Sequence, residues 1–388
     1  MKKIRVSLEE RPIEYYSTMG CRTINGLDIN AIDNFKENIN HVLNKEFDKI
    51  DDVFSGAQKD GRGNICPTTI ILPTLAAMSV KKIVNKYGDE NPRSDEHKEL
   101  IWNEFIKLLD KKIHEAKDML LERFNHICSQ SPNSAKFMWE NKTMAGYHED
   151  EGIISALKHG TLVIGQLGLS EALYIMFGFD HTTSKGMGYA KEIEQLWLDR
   201  TSEFKKEYKL NFGVYYTPSE NLCYTAFNKF IKKYPEFDLE NVTYFINENG
   251  EKEYKKYFTN SMHVPVYHEC DPFEKIDIES QLTGYSNAGV ITYVELPSIS
   301  FNNIDAIEKI VDYAMDKDVP YFAINFPLNR CAKCNEPIYD SELECCPKCG
   351  SNEVIRLGRI TGYLSTTVDH FNNGKKKEFY DRVKHIKN

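Results

Sequence analysis

The sequence has no long apolar run and no excess of positive charge. None of its apolar stretches approaches the roughly 20 residues needed to cross a bilayer, and the N-terminus has no apolar signal-peptide core. The net charge is −9 at pH 7, which argues against a general binder of nucleic acid or of membrane surfaces. We therefore expect a cytoplasmic protein with no membrane partner and no nucleic-acid partner.

The composition is otherwise that of an ordinary globular protein. Of the 388 residues, 41% are hydrophobic and 28% are charged, which allows one large core and a small appended module. The ten cysteines, without a secretory signal, fit free thiols in a reducing compartment. Charge is unevenly spread, because the tail over residues 351–388 holds eight Lys and Arg against four Asp and Glu.

Four cysteines near the C-terminus have the spacing of a metal site. Cys331 and Cys334 form one C-x-x-C pair, and Cys346 and Cys349 form another after eleven intervening residues. Each pair makes a small hairpin that directs two thiolates at one point. Four sulfur ligands without histidine indicate a structural zinc rather than a catalytic one. Two disulfides, or four thiols without a role, are the alternatives.

The residues after these cysteines carry a second pattern. R-I-T-G-Y-L at residues 359–364 is followed by F-N-N-G-K at residues 371–375. A four-cysteine knot, then R-x-x-G-Y-L, then F-N-x-G-K resembles the C-terminus of the anaerobic (class III) ribonucleoside-triphosphate reductases, which are glycyl radical enzymes. The resemblance implies that Gly362 stores the radical. A Cα radical is stabilised by its amide neighbours only where the backbone can flatten, and glycine has no side chain to prevent that.

Two strings nearer the N-terminus resemble the same family. M-G-C-R-T at residues 19–23 resembles the loop whose cysteine faces the radical glycine, which implies that Cys21 carries the thiyl radical. A sulfur radical suits this task because S–H and sugar C–H bonds are similar in strength. G-R-x-N, which ends at Asn64, resembles the string that leads into a barrel strand, so Asn64 is expected to contact the substrate sugar. The alternative is a glycine-rich turn that tolerates Asn in a left-handed conformation.

Strands and helices alternate along most of the chain. Residues 161–165 form a continuous apolar run, as buried parallel strands do. The pattern predicts further strands over residues 68–72, 211–216, 242–246, 289–296 and 321–326. It predicts helices over residues 75–86, 98–128, 189–209 and 304–315. This alternation predicts an α/β sheet or barrel.

The string T-P-S-E at residues 217–220 has a structural and a functional interpretation. Thr217 and Glu220 have the spacing of a capping box, with Pro218 at the first helical position, which predicts a helix start here. A helix start after a strand is also a natural seat for phosphate. By resemblance to the family's T-P-x-E string, Thr217 and Ser219 are expected near phosphate, and Glu220 at the ribose as a polar or acid–base contact.

The resemblance also implies an architecture and a missing part. These reductases have a ten-stranded α/β barrel built from two half-barrels, with the cysteine finger loop threaded through the middle. Here the finger-loop cysteine already occurs at Cys21. We therefore expect residues 1–330 to form the second half of that barrel with the finger loop, and residues 331–388 to form the zinc ribbon and glycyl radical domain. A separately encoded N-terminal half would complete the enzyme.

The chemistry implied by the resemblance is anaerobic reduction of ribonucleoside triphosphates to their 2′-deoxy forms, for DNA synthesis. A separate activating enzyme with an iron–sulfur cluster and S-adenosylmethionine would remove a hydrogen from Gly362. The radical would pass to Cys21, whose thiyl takes the 3′ hydrogen of the substrate. Water then leaves from the 2′ position, and formate is the reductant in many members. A homo-oligomer is also expected.

Two other functions are compatible with parts of this sequence. Lyases of the pyruvate formate-lyase kind have a similar R-x-x-G-Y ending but an adjacent pair of active-site cysteines, and the only adjacent pair here, Cys345 and Cys346, lies within the metal knot. A zinc-ribbon module that binds nucleic acid through its basic tail would leave residues 1–330 unexplained and conflicts with the overall acidity.

Overall fold

The computed structural model describes most of the chain. The described residues are 17–18, 23–25, 28–30, 44, 62–88, 94–141, 143–144, 146–237, 244–246, 252–254, 257–297, 300, 302–326, 328–338, 343–360, 363–365 and 370–386. Of the sequence-predicted site residues, Cys21 and Gly362 lie outside these ranges.

The described residues form thirteen strands and ten α-helices. The strands are β1 (Ser17–Thr18), β2 (Ile24–Asn25), β3 (Asn64–Ile71), β4 (Thr161–Leu167), β5 (Asn211–Tyr215), β6 (Tyr244–Ile246), β7 (Lys252–Tyr254), β8 (Thr292–Glu295), β9 (Phe322–Asn325), β10 (Leu328–Cys331), β11 (Pro337–Ile338), β12 (Val354–Ile360) and β13 (Tyr363–Ser365). The helices are α1 (Leu72–Tyr87), α2 (Asp95–Cys128), α3 (Lys136–Glu140), α4 (Ile154–Leu157), α5 (Leu169–Phe177), α6 (Ser184–Tyr208), α7 (Leu222–Lys233), α8 (Pro272–Thr283), α9 (Ile304–Asp316) and α10 (Asn373–Asp381), and a 3₁₀ helix spans Pro132–Ala135.

Five strands run parallel and follow one another in chain order. β3, β4 and β5 form one sheet, and β8 pairs with β9 in another. A parallel bridge between Tyr215 and Gly289 joins β5 to the segment that leads into β8. Helices connect successive strands, as parallel pairing requires. The predicted α/β class is therefore confirmed, whereas closure into a barrel stays a prediction.

The two faces of this sheet have different surroundings. On the face called here the outer face, Leu162 and Ile164 of β4 join a large apolar core with residues of the helices. The helix residues in that core include Leu75 of α1, Phe105 of α2 and Leu173 of α5. The opposite, inner face carries Val163 and Gly165 of β4 and Tyr215 of β5. Since every residue of β4 is buried, this strand is the centre of the sheet, as its apolar run predicted.

The other element predictions hold with shifted ends. Helix α2 starts at Asp95 rather than Lys98 and buries an apolar stripe at three- and four-residue steps, while α9 has Asn303 as its cap, accepting from Ala306 N at 3.2 Å. The strand predicted over residues 242–246 occurs as β6, but it pairs antiparallel with β7 in a separate hairpin. Within the part of the chain that the structure describes, none of the helices is both long and apolar enough to span a bilayer.

The C-terminal part contains a different sheet, called here the ribbon. Its four antiparallel strands lie in the order β11, β10, β12, β13. The ribbon begins at Leu328, and its strands bracket the two C-x-x-C pairs. Helix α10 follows it, and the residues after this helix return to the parallel sheet, where His385 N donates to Glu295 O of β8 at 2.8 Å. The proposed domain boundary between residues 330 and 331 stays a prediction.

Candidate functional site

The four cysteines of the ribbon converge on one point. Cys331 Sγ lies 3.6 Å from Cys349 Sγ, and Cys334 Sγ lies 3.6 Å from Cys346 Sγ. All four sulfur atoms lie within 4.8 Å of one another. Zinc–sulfur bonds of about 2.3 Å in a tetrahedron place sulfurs roughly 3.8 Å apart. The predicted ligand set therefore fits one tetrahedral metal ion.

The two C-x-x-C pairs adopt the same local geometry. The residue after each pair has a left-handed backbone, with φ of 59° at Asn335 and 68° at Gly350. That turn lets Asn335 N donate to Cys331 O at 3.0 Å and Gly350 N donate to Cys346 O at 2.9 Å. Asn and Gly are the residues that tolerate this conformation best. Local sequence thus dictates both knuckles.

The knuckle backbone also favours a thiolate. Lys333 N and Cys334 N donate to Cys331 Sγ at 3.3 and 3.4 Å. These N–H groups, Cys334 N foremost, lower the pKa of the Cys331 thiol to about 6. The thiolate is the form that ligates metal.

Strand β12 connects the metal site to the predicted radical residue. β12 begins at Val354, opposite Cys331, and ends at Ile360, opposite Tyr363 of β13. Gly362 follows the end of β12 and lies outside the described residues. Six steps along an antiparallel strand span roughly 20 Å at about 3.4 Å per residue. A metal in the knot is therefore too far from the end of β12 to take part in chemistry there.

The inner face of the parallel sheet has a small apolar cluster and a threonine pair. Val163, Tyr215 and Ala288 pack together on it. Thr217, two residues after β5 ends, turns back so that its Oγ1 lies 3.1 Å from Thr69 Oγ1 of β3. It passes over Gly165 of β4, where a Cβ would lie 1.9 Å from Thr217 Oγ1. Only glycine leaves room for this crossing.

The predicted capping box at residues 217–220 is wrong. Helix α7 starts at Leu222 with Asn221 at its cap position, and Thr217 contacts Thr69 instead of a helical N–H. Ser219 and Glu220 have φ of 54° and 39°, which breaks any helix through them. The cause is the hydrogen bond between the hydroxyl groups of Thr217 and Thr69, two residues that are far apart in the sequence. The helix terminus is therefore formed by residues after the T-P-S-E string.

Residues 217–221, called here the junction, connect β5 to α7 and contain the T-P-S-E string. Thr217 is half-buried and Ser219 is buried, whereas Glu220 is exposed. Glu220 N donates to Pro218 O at 2.6 Å, and Leu222 N to Ser219 O at 2.7 Å. The junction thus presents two hydroxyl groups and a carboxylate beyond the carboxyl end of β5, where α/β proteins bind ligands.

Asn64 lies at the opposite end of the same inner face. Its Nδ2 donates to Ala288 O at 3.1 Å and approaches Thr23 Oγ1 at 3.4 Å. Its Oδ1 is buried without a hydrogen-bond partner among the described residues. Four steps along β4 separate the row of Asn64 from the row of Thr69, which is roughly 13 Å at about 3.3 Å per residue. The predicted sugar contact and the predicted phosphate contacts therefore share one face.

The strands on either side of Cys21 form a hairpin beside Asn64. Thr18 of β1 pairs with Ile24 of β2, and Thr23 bridges to Gly289. Cys21 itself lies outside the described residues. Thr23, the residue before β2, therefore lies against the inner face and contacts Asn64 directly.

A buried polar cluster that the sequence analysis missed fixes the residues after this hairpin. Asp28 is fully buried; its carboxylate accepts from Asn211 Nδ2 at 2.9 Å and lies 2.6 Å from His159 Nδ1. Burial opposes ionisation of Asp28, but His159, Arg62 and Asn211 outweigh it and hold the pKa of the Asp28 carboxyl below its ordinary value. No spacing pattern connects these four residues, which come from four segments.

Two buried carboxyls beneath the sheet were also missed as titratable groups. Burial raises the pKa of Glu171 to about 7, although Thr259 N donates to its carboxylate at 2.8 Å. Burial raises the pKa of Glu194 on α6 to about 8, where Gln166 and Tyr216 contact it. The G-L-x-E string that contains Glu171 was visible in the sequence, whereas Glu194 is one of many glutamates on an amphipathic helix.

The comparisons with known proteins agree on one family. Residues 2–385 match the family described as anaerobic ribonucleoside-triphosphate reductase. The chain is 29% identical over 349 residues to the protein of that name from Escherichia coli K12, covering 85% of this chain and 43% of that protein. It is 28% identical over 339 residues to the one from enterobacteria phage T4, covering 84% and 49%.

A solved structure has the same fold. A structure described as anaerobic ribonucleotide reductase superposes with a TM-score of 0.59 at 20% identity, covering 84% of this chain and 45% of that chain. The chain thus spans about half the length of the curated relatives it matches. The match runs through the parallel sheet as well as the ribbon, so a ribbon module alone does not account for it. The chain belongs to the anaerobic ribonucleoside-triphosphate reductase family.

Proposed function

We propose that this chain is the radical-bearing part of an enzyme that reduces ribonucleoside triphosphates to 2′-deoxyribonucleoside triphosphates without oxygen. The family of anaerobic ribonucleoside-triphosphate reductases matches residues 2–385, and the Escherichia coli protein of that name covers 85% of the chain. The observation that carries the proposal is the arrangement of the inner face. Asn64 and Thr23, which precedes β2, lie at one end, and the junction of Thr217, Ser219 and Glu220 lies beyond the other.

The spacing along the inner face suits an extended nucleotide. The rows of Asn64 and Thr69 are roughly 13 Å apart at about 3.3 Å per residue, which is comparable to the reach from a ribose to the end of its triphosphate. A ribose near Asn64 would have its phosphates near the hydroxyls of Thr217 and Ser219. Asn64 Oδ1, buried without a partner among the described residues, would accept from a sugar hydroxyl. Glu220 would contact the ribose only if the exposed junction closes over the substrate.

The radical steps follow from glycine and cysteine chemistry. Loss of a hydrogen atom from Gly362 leaves a backbone radical, which takes the Cys21 S–H hydrogen to give a thiyl. The thiyl takes the 3′ hydrogen of the sugar, and the 2′ hydroxyl leaves as water. Formate as reductant would supply two electrons and the hydrogen for the 2′ carbon and leave as carbon dioxide, a proton taken up from solvent would complete the departing water, and the 3′ hydrogen returns from Cys21. This chain's contribution is to position the groups and exclude water.

Zinc is the metal that the four cysteines would hold. The site has four thiolate ligands and no open position, which is the composition of structural sites. Metal binding would add its free energy to the folding of the ribbon. A rigid ribbon would in turn fix the start of β12, whose far end precedes Gly362.

A complementing half is proposed on the evidence of strand order. Among the described residues β3 pairs with a single strand, β4. Five parallel strands correspond to half of a ten-stranded barrel. We propose that a first half-barrel pairs with the other edge of β3, and that the complete enzyme forms homo-oligomers and is activated by an iron–sulfur enzyme that uses S-adenosylmethionine.

Electron paramagnetic resonance tests the radical assignment. The chain, incubated anaerobically with the activating enzyme, S-adenosylmethionine and reductant, should give a doublet from one α-hydrogen on Gly362. The variant Gly362→Ala should lose the doublet. Gly188→Ala is the matched control, because a Cβ at Gly188 on α6 meets nothing within 4 Å. A doublet that survives in Gly362→Ala would refute the assignment.

A further inference from the structure

The tail of the chain packs at the carboxyl ends of the parallel strands. Arg382, just after α10, donates through Nη1 to Glu295 Oε1 at 2.6 Å, and Asn325 Nδ2 donates to the same oxygen at 2.9 Å. Glu295 and Asn325 are the last residues of β8 and β9. His385 N also donates to Glu295 O at 2.8 Å. This edge is where ligands bind in open α/β sheets, so the tail is part of the wall around it.

Lys375, at the end of the F-N-N-G-K string, is buried inside this wall. Its side chain is fully buried, and its Nζ donates to Glu378 Oε2 at 2.6 Å. Burial raises the pKa of the Cys223 thiol on α7 to about 11, and the nearby positive charge of Lys375 opposes that rise. Cys223 Sγ in turn donates to Glu220 O at 2.9 Å. The buried lysine therefore acts electrostatically on a thiol that contacts the junction.

Asn372 makes a second contact to the junction. Its Oδ1 accepts from Lys375 N at 2.8 Å and caps α10. Its Nδ2 donates to Asn221 Oδ1, on the last residue of the junction. One side chain thus starts the helix and contacts the junction.

The junction needs such support because of its backbone. Ser219 and Glu220 both have left-handed φ, of 54° and 39°, without being glycine. Side chains rarely adopt this conformation, and it persists where surrounding contacts fix it. Asn372 contacts Asn221, the residue immediately after this pair, and Cys223 donates to Glu220 O within it.

We infer that Asn372 and Lys375 are positioning residues that hold the junction in its left-handed conformation. The F-N-N-G-K string thereby shapes the place where the nucleotide phosphates are proposed to bind, and this second part rests on the proposed function. The same C-terminal segment that follows Gly362 would then also set nucleotide affinity. A nucleotide site would be complete only when α10 is docked.

Hydrogen–deuterium exchange of the full chain tests the positioning role without nucleotide. Asn372→Ser keeps a helix-capping oxygen but is too short to contact Asn221, and Asn221→Ala removes the same contact from the other side. Each should speed exchange at residues 219–223 about tenfold, the size expected for one lost hydrogen bond, and leave β4 unchanged. The double variant should add nothing further, since both changes remove one contact.

The link through Lys375 has its own variants. Lys375→Met removes the ammonium, and Cys223→Ala removes the thiol without leaving a buried charge, so it covers the case in which Lys375→Met fails to fold. Both should speed exchange at the junction. Lys309→Met, on the exposed face of α9, is the control and should match the wild type. Unchanged exchange at the junction in Asn372→Ser and Cys223→Ala overturns the inference.

Nucleotide affinity separates this inference from the proposed function. In the chain assembled with its complementing half, Asn372→Ser should weaken binding of a ribonucleoside triphosphate about tenfold by loss of one positioning contact. If the wild type binds and the variant binds equally well, the positioning role is overturned and the proposed function stands. If the wild-type assembly binds no nucleotide, the proposed function fails, and exchange at the junction alone decides the positioning role.

Discussion

The parallel sheet and the ribbon are stabilised in different ways. The parallel sheet and its helices share one large apolar core. Strand β4 contributes three residues to it: Leu162, Ile164 and Leu167. In the described part of the ribbon, the buried apolar cluster consists of Ile338 with two of the metal-site cysteines. Burial of apolar area stabilises the first region, and the second is too small for that.

The difference gives the two regions different vulnerabilities. A module with so small a core depends on its metal, because binding energy becomes folding energy. The parallel sheet should not depend on the metal, since its core lies among its own helices. Helix α10 complicates this division, because it follows the ribbon in the chain and contacts both β12 of the ribbon and α7 beside the parallel sheet, with Lys375 and Glu378 buried.

Removal of the metal should have the largest effect and separate the two regions. In Cys346→Ser the ribbon should lose zinc and the exchange protection of residues 328–360, since structural zinc contributes about 10–16 kcal/mol in small peptides. Protection in β4 and α5 should stay as in the wild type. Metal analysis and hydrogen exchange on the same samples measure both.

The neighbouring cysteine provides the control for that experiment. Cys345 is exposed and lies outside the four-sulfur cluster. Cys345→Ser should therefore keep one zinc per chain and the protection of the ribbon. If Cys346→Ser kept its zinc, or if the ribbon stayed protected without metal, the contrast between the regions would be lost.

The features that the sequence predicted correctly are local in the chain. Residues 161–165 are apolar throughout because β4 is covered on both faces, and that requirement is visible in a single short segment. The C-x-x-C pairs are equally local, because Asn335 and Gly350 set each knuckle within five residues. The expected position of Thr217 near phosphate rests on the family's T-P-x-E string and stays a prediction.

The features that the sequence did not predict depend on distant contacts. Thr217 and Glu220 have the spacing of a capping box, but Thr69, 148 residues away, takes the Thr217 hydroxyl. Lys375 belongs to a locally basic tail, yet its side chain is fully buried and donates to Glu378. Pairings of this kind leave no periodic trace in the sequence.

The stability of the parallel sheet should depend on pH, because a carboxyl group is buried on its outer face. Burial raises the pKa of Glu194 to about 8 from an ordinary value of 4.5, so the folded chain keeps a proton that the unfolded chain releases. Stability from this group is complete below pH 4.5 and is lost as the pH rises through 8. The free energy of unfolding should fall by up to about 1.4 kcal/mol per pH unit in that window. Denaturant titrations between pH 5 and pH 8.5 measure it.

Two variants assign that slope to its source. Glu194→Gln should flatten the dependence between pH 7 and pH 8, while Glu171, whose pKa burial raises to about 7, keeps a slope below pH 7. Glu207→Gln, exposed on the same helix, should retain the full wild-type slope. A slope between pH 7 and pH 8 that is unchanged in Glu194→Gln would assign it to another group.

A substitution on the inner face should affect stability less than removal of the metal does, but its consequence for the junction is the greatest. A Cβ at Gly165 would lie 1.9 Å from Thr217 Oγ1 and 2.6 Å from Tyr215 O. Gly165→Ala should therefore lower the free energy of unfolding by about 1–3 kcal/mol, as overpacking does, and move Thr217 off Thr69. Ile164→Val, one residue away on the outer face, should cost about 0.5–1.5 kcal/mol and leave the junction in place.

A double-mutant cycle decides whether the hydroxyl of Thr217 is the cause. Thr217→Ala removes Oγ1, so the double variant Gly165→Ala/Thr217→Ala should be more stable than the sum of the two single effects predicts. Full additivity would mean that the carbonyl of Tyr215, and not the Thr217 hydroxyl, accounts for the requirement for glycine. In that case glycine is required at residue 165 because a Cβ there would clash with the backbone of the neighbouring strand β5. Thr217 would then only occupy the space that the missing side chain leaves.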